Sequence, residues 1–115
     1  MTKQSIMHIS ADDYEALIKE KNFYNLDVRE KYEFESGHIK GAILVPATHF
    51  NEEFQKLKIK KSDRVGLYCR VGNRSAFIAE KLKEQGYQHI FNLELGLFDW
   101  VSQGKKIIKK QARDL

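Results

Sequence analysis

The chain has 115 residues, 42% of them hydrophobic and 31% charged, the size and balance of one globular domain and not of a disordered or fibrous protein. Its formal net charge of +4 is too small to argue for nucleic acid without a concentrated patch, and the densest basic stretch, Lys105, Lys106, Lys109, Lys110 and Arg113 near the C-terminus, is expected to be a solvated tail. No run approaches the roughly 20 apolar residues that cross a bilayer, and Met1 to Ser10 lacks the layout of a secretion signal, so the expectation is a cytoplasmic domain over 1–115, its core at 9–106 and its basic tail at 105–115, with no membrane or nucleic-acid partner.

In chain order, the apolar run Ile6 to Ile9 reads as a first strand. Ser10 with Asp13 three residues on has capping-box spacing and predicts a helix start, continued by Tyr14, Leu17 and Ile18 on one face and fading at Lys21-Asn22. Phe23 to Val28, Ala42 to Val45, Val65 to Tyr68 and His89 to Leu93 are short apolar or β-branched runs, the pattern of strands buried on both faces. Between them, Phe50 to Leu57 and Ser75 to Gln85 read as helices, the second with Ile78, Ala79 and Leu82 on one stripe and Gly86 as its C′ residue. Strands alternating with helices at short intervals predict an α/β domain with a mainly parallel sheet.

Chemistry concentrates at Cys69, the only cysteine. One thiol excludes an intramolecular disulfide and a cysteine-dominated metal site, and neither metal nor cofactor is expected. Cys69 follows a predicted strand at its carboxyl end, where open α/β sheets bind their ligands. Arg70 to Arg74 then form a tight loop into the helix expected from about Ser75. Backbone N–H groups of such a loop, with the positive end of the helix dipole, make an anion cradle, and Gly72 permits positive φ within it. A free thiol is only a few per cent ionised at neutral pH, and helix N-termini and nearby cations favour the thiolate. Arg70 and Arg74 supply such cations. A small buried hydrophobe is the alternative role for a lone cysteine.

Two catalytic classes carry a cysteine in such a loop. Protein tyrosine phosphatases have Cys-x5-Arg, a ring that wraps a phosphoryl group. Here Cys69 and Arg74 are separated by four residues, and Tyr68 stands where those enzymes place a histidine. The shorter ring suits a single sulfur atom on the cysteine. A phosphatase or arsenate reductase remains the opposing class.

Tyr68-Cys69-Arg70-Val71-Gly72-Asn73-Arg74-Ser75-Ala76 resembles the active-site loop of rhodanese-domain sulfurtransferases. Leu26-Asp27-Val28-Arg29-Glu30, Glu33-Phe34 and Gly37-His38-Ile39-Lys40-Gly41-Ala42 resemble the upstream motifs of the single-domain rhodanese family, in the same order, and Gly86-Tyr87 and Gly96 before Trp100 its C-terminal pattern. Lys40 stands where proline is common and Gly96 where two glycines are frequent. The resemblance covers roughly Ile9 to Lys106 and implies a rhodanese-like α/β fold, a five-stranded mainly parallel sheet flanked by helices.

It further implies a thiosulfate sulfurtransferase. Cys69 would take a sulfane sulfur from a donor such as thiosulfate, hold it as a persulfide and pass it to cyanide, a thiol or a sulfur-relay protein. The main chain of Arg70, Val71, Gly72, Asn73, Arg74 and Ser75 would hold the anionic sulfur, with Arg70 and Arg74 attracting the donor. Asp27 and Arg29 would border the pocket or form a structural ion pair. His38 would be a structural hydrogen-bonding residue or, alternatively, a base, and Trp100 would pack in the core.

Overall fold

The computed structural model describes residues 6–109. Strands β1 (Ile6–Ile9), β2 (Phe23–Asp27), β3 (Ile43–Leu44), β4 (Arg64–Tyr68) and β5 (His89–Leu93) form one sheet in the order β1-β5-β4-β2-β3, every pairing parallel. The connections hold α1 (Ala11–Ile18), α2 (Lys31–Ser36), α3 (Phe50–Lys56) behind a 3-10 turn at Ala47–His49, α4 (Asn73–Glu84) and α5 (Gly96–Ser102). The α/β architecture expected from the alternating runs is the one observed.

Burial follows position in the sheet. Val65 to Tyr68 on β4 and Asn25 to Asp27 on β2 are buried on both faces because these strands are central. The edge strand β3 departs from the expectation of full burial, and β1 at the other edge is also partly exposed. Met7 and His8 of β1 are exposed, and the expected Ala42–Val45 strand contracts to the half-buried pair Ile43–Leu44. An edge strand has a neighbour on one side only, so fewer of its residues are covered.

The pleat divides the interior into two layers. Leu26, Leu67 and Ile90 face α3 and α4, meeting Phe50, Phe54, Ile78 and Leu82. Ile9, Tyr68 and Leu93 face α1 and α5, meeting Tyr14, Leu97 and Trp100. The predicted α4 stripe of Ile78, Ala79 and Leu82 is buried, with Ile78 and Leu82 each contributing about 1.5–3 kcal/mol. Under the sheet Tyr14 meets Phe23 and Tyr68 edge to face, and its hydroxyl donates to Asn25 Oδ1 at 2.6 Å.

Three local expectations are corrected. Ser10 Oγ accepts from the Asp13 N–H at 3.2 Å and caps α1, but the carboxylate half of a capping box is absent there. A carboxylate closes the turn instead at α2, where Glu33 accepts from the Glu30 N–H at 2.9 Å. α2 itself was not anticipated because none of its residues is buried, so it carries no apolar stripe. The seven-residue α5 is short and leaves Phe98 and Val101 exposed, so its pattern is equally broken.

Candidate active site

In the sheet register Asp27 of β2 lies opposite Tyr68 of β4. Their carboxyl ends therefore deliver Arg29 and Cys69 to the same edge. α4 begins at Asn73 and not at Ser75, because Gly72 takes the N-cap position at φ 100° and its carbonyl accepts from the Ala76 N–H at 3.1 Å. The loop is thus only Arg70 to Gly72, and Arg74 and Ser75 stand in the first helical turn.

Cys69 Sγ, in a residue only 1% exposed, accepts from the Gly72 N–H at 3.1 Å, the Ser75 N–H at 3.4 Å and the Ser75 hydroxyl at 3.5 Å. Two amides and one hydroxyl of the loop and first helical turn thus meet this sulfur. The Ser75 hydroxyl also lies 3.2 Å from the Gly72 carbonyl. Having one hydrogen, it serves one acceptor at a time and is free to turn toward added negative charge on the sulfur. Helix α4 points its N-terminus at the same place, which favours an anion there.

α5 fastens the loop from the other side. Its first orphan donors, the Leu97 and Phe98 N–H groups, bond the Cys69 and Arg70 carbonyls, each at 2.9 Å. Gly96 makes the approach possible. It lies at φ 67°, and a Cβ there would stand 2.4 Å from the Arg70 carbonyl oxygen. A Cβ on Gly72 would stand 2.0 Å from the Glu94 carbonyl oxygen. Two glycines, distant in sequence, let two backbones cross behind the thiol.

The charged residues are less free than the sequence suggested. Arg74, expected to face the donor, forms a two-pronged ion pair with Glu33 of α2, Nη1 to Oε1 at 2.8 Å and Nη2 to Oε2 at 3.0 Å. The Arg74 guanidinium, opposed by partial burial, pulls the Glu33 carboxyl down to about 2. The same bond raises Arg74 further above the ordinary arginine range. Asp27 and Arg29 are buried together, Nη2 to Oδ2 at 2.8 Å, with Arg29 Nη2 also donating to the Gly37 carbonyl at 2.7 Å. This pair ties β2 to the end of α2. Arg70 is exposed and, of the described arginines, is the one without an ion pair.

A cavity of about 400 Å³ opens beside the loop, its walls including Arg70, Glu33, Arg29, Tyr32, Leu97, Phe98, Val101 and Ile107. Val71 and Asn73 are exposed on the loop and first helical turn. His38 lies within the scaffold: Nδ1 is 2.7 Å from the Phe34 carbonyl, its ring stacks on Phe34 at 3.7 Å, and its backbone bridges Ile108. Trp100 is buried, its Nε1–H donating to the Lys106 carbonyl at 2.9 Å. Lys105 corrects the solvated-tail expectation, since Asp12 and Glu15 hold it at 2.8 Å each. Lys110 and Arg113 lie outside the described residues. Among the described residues no three histidine, cysteine or acidic side chains converge as metal ligands, and no helix is long and apolar enough to cross a membrane.

Glu33, in sequence only part of a motif, has its role from the fold, as the partner of Arg74. Its signal was the Glu30-x-x-Glu33 spacing, which marks a helix start. The aromatic and aliphatic walls from α2 and α5 carried no recognisable signal.

The family model for the Rhodanese-like domain matches residues 10–103. The chain is 31% identical over 103 residues to the "tRNA uridine(34) hydroxylase" of Hamiltonella defensa subsp. Acyrthosiphon pisum (strain 5AT), covering 86% of this chain and 29% of that one. It is 30% identical over 100 residues to the "Putative sulfur carrier protein YrkF" of Bacillus subtilis (strain 168), covering 86% and 53%. The chain therefore spans from under a third to about half of these relatives. The crystal structure of a rhodanese-related protein from Thermoplasma volcanium superposes with a TM-score of 0.79 at 29% identity, covering 90% of this chain and 99% of that one. With its matched span, its all-parallel five-stranded sheet and its cysteine loop between β4 and α4, the chain belongs to the rhodanese-like domain family.

Proposed function

We propose that this protein is a thiosulfate sulfurtransferase working through a persulfide on Cys69. The observation that carries the reading is the set of three donors, Gly72 N–H, Ser75 N–H and Ser75 Oγ–H, directed at one sulfur. The Cys69 thiolate attacks the outer sulfur of thiosulfate. A new Sγ–S bond forms, the donor S–S bond breaks, and sulfite leaves with the electron pair. The terminal persulfide sulfur carries the charge, and the loop amides and Ser75 hydroxyl stabilise it. A thiol or cyanide then attacks that outer sulfur, and Cys69 departs as thiolate. No general base is needed, because a thiolate attacks directly and each leaving group is a stable anion. His38, bonded within the scaffold, stays out of the chemistry, and Asp27–Arg29 anchors the loop's neighbourhood. A single free thiol suits a reducing, cytoplasmic setting.

Similarity to the Bacillus protein named as a sulfur carrier favours a second reading of the acceptor, in which the persulfide passes to another protein's thiol. The residues used are the same.

Intact-protein mass spectrometry after exposure to thiosulfate tests the reading. One added sulfur is expected on the wild type and none on Cys69→Ser. Thiocyanate formation from thiosulfate and cyanide should vanish in the same variant with an unchanged far-ultraviolet spectrum. Turnover retained by Cys69→Ser would overturn it.

A further inference from the structure

We propose that the edge of the sheet opposite the cysteine loop binds single-stranded nucleic acid, with one nucleotide in a polar cavity between α3 and the end of α4 and the flanking phosphates on neighbouring lysines. Along the chain the basic residues look scattered, and the fold gathers them. Every strand pairing is parallel, so the loops that lead into the strands share one edge, the far one from Cys69. Contacts tie three of these loops together. Arg64 bonds Glu20, the Gln88 N–H donates to the Lys61 carbonyl at 3.0 Å, and Lys61 Nζ donates to the Gln85 carbonyl. Lys19, Lys21, Lys58, Lys60 and Lys61 stand on this edge, all exposed and, among the described residues, none in an ion pair. The two carboxylates of the same loops are engaged elsewhere, Glu20 by Arg64 and Asp63 by the Lys60 N–H at 2.8 Å.

Backbone conformation singles out Lys58. It follows Leu57, the C-cap of α3, at φ 56°, in the left-handed region that glycine adopts at least cost. At the equivalent position α4 has Gly86 at φ 97° and α5 has Gly104 at φ 81°. Helix α3 therefore keeps a strained cation where glycine would be more stable, and strain held against stability marks a functional position.

The cavity supplies the rest. Lys58 and Lys61 line a space of about 460 Å³ with Asn51, Gln55, Gln85 and Tyr87, a volume in the range that holds organic ligands. Lys61 is fixed there, its ammonium 4.7 Å from the centre of the Tyr87 ring. Two ammonium groups suit a phosphate, and three side-chain amides offer donors and acceptors to a base edge. Lys19, Lys21 and Lys60 carry the positive charge beyond the cavity, which fits a strand better than a free mononucleotide. A strand of nucleic acid presents phosphates in a row with polar base edges between them, whereas a run of glutamates presents carboxylates only.

The test is fluorescence anisotropy with a labelled single-stranded RNA of about 12 nucleotides, beside an oligoglutamate of equal charge and uridine monophosphate. At physiological salt the RNA should bind with a dissociation constant of about 1–100 μM, at least about tenfold tighter than either comparison ligand. Amide chemical shifts should move at residues 55–61 and 85–88 and stay in place at 69–75. Lys58→Gly is the decisive variant, because it removes the charge without harming the fold. Its urea midpoint should rise and its thiosulfate turnover should be unchanged, while its RNA affinity falls. The slope of log affinity against log salt should flatten by about 0.7, the loss of one phosphate contact. Failure of the RNA to bind overturns the proposal, as does an RNA affinity unchanged in Lys58→Gly. Oligoglutamate binding as tightly as RNA overturns it in favour of an acidic protein partner, and equal binding of the mononucleotide overturns the strand.

Discussion

Replacing Glu33 by Gln should destabilise the protein at neutral pH and remove part of its acid sensitivity. Glu33 lies 15% exposed against Arg74, whose side chain is 40% exposed. Its carboxyl is held at about 2 against an ordinary 4.5, chiefly by the Arg74 hydrogen bonds, with burial opposing and the Glu30 N–H and Arg29 assisting. The folded value lies below the unfolded one, so the contribution is complete above about 4.5 and is lost as pH falls through about 2. At 1.36 kcal/mol per pH unit the ceiling is about 3 kcal/mol. Solvent at the exposed side of Arg74 screens the pair, which brings the expected loss to about 1–2 kcal/mol. Urea denaturation of wild type and Glu33→Gln at pH 7 and near pH 3 checks this, with Arg74→Met and the double variant completing the cycle. The gap between wild type and Glu33→Gln should narrow at the lower pH, and the double variant should be little worse than either single one. A gap that stays constant with pH, together with additive losses, would refute the reasoning.

Gly72→Ala should cost more than about 2 kcal/mol in thermal or urea unfolding and impair sulfur transfer with it, since the new Cβ meets the Glu94 carbonyl at a φ of 100°. Ser75→Ala should lower kcat/KM for thiosulfate about tenfold, less than the 10²–10³-fold typical of a well-placed oxyanion donor because Oγ stands 3.5 Å from Sγ; an unchanged rate removes the hydroxyl from the mechanism. Hydrolysis of small aryl phosphates by the wild type should be negligible beside thiosulfate turnover, because two amides and a hydroxyl face the sulfur while Arg74 is turned to Glu33; comparable rates would restore the phosphatase reading.

What the chain determines by itself is local. A cysteine at a strand's end, a glycine three residues on and an apolar 3.6-residue stripe from Ile78 to Leu82 specify a strand, a tight turn and a helix, because hydrogen bonds within a few residues and one-sided burial are enough to form them. The same locality made α2 and α5 invisible, each short and with exposed large side chains, and moved the start of α4 from Ser75 to Asn73 once Gly72 was free to cap it. Partnership across the fold is another matter. Arg74 read as a cation for the donor until the sheet order β1-β5-β4-β2-β3 brought α2 against α4 and set Glu33, 41 residues away in sequence, on both its prongs. Gly96, in sequence only part of a C-terminal pattern, is the place where α5 reaches the Cys69 and Arg70 carbonyls. Among the described residues Arg70 has no ion pair for the same reason, since pairing is decided by which side chains the register delivers to one edge, and no short-range pattern encodes that register.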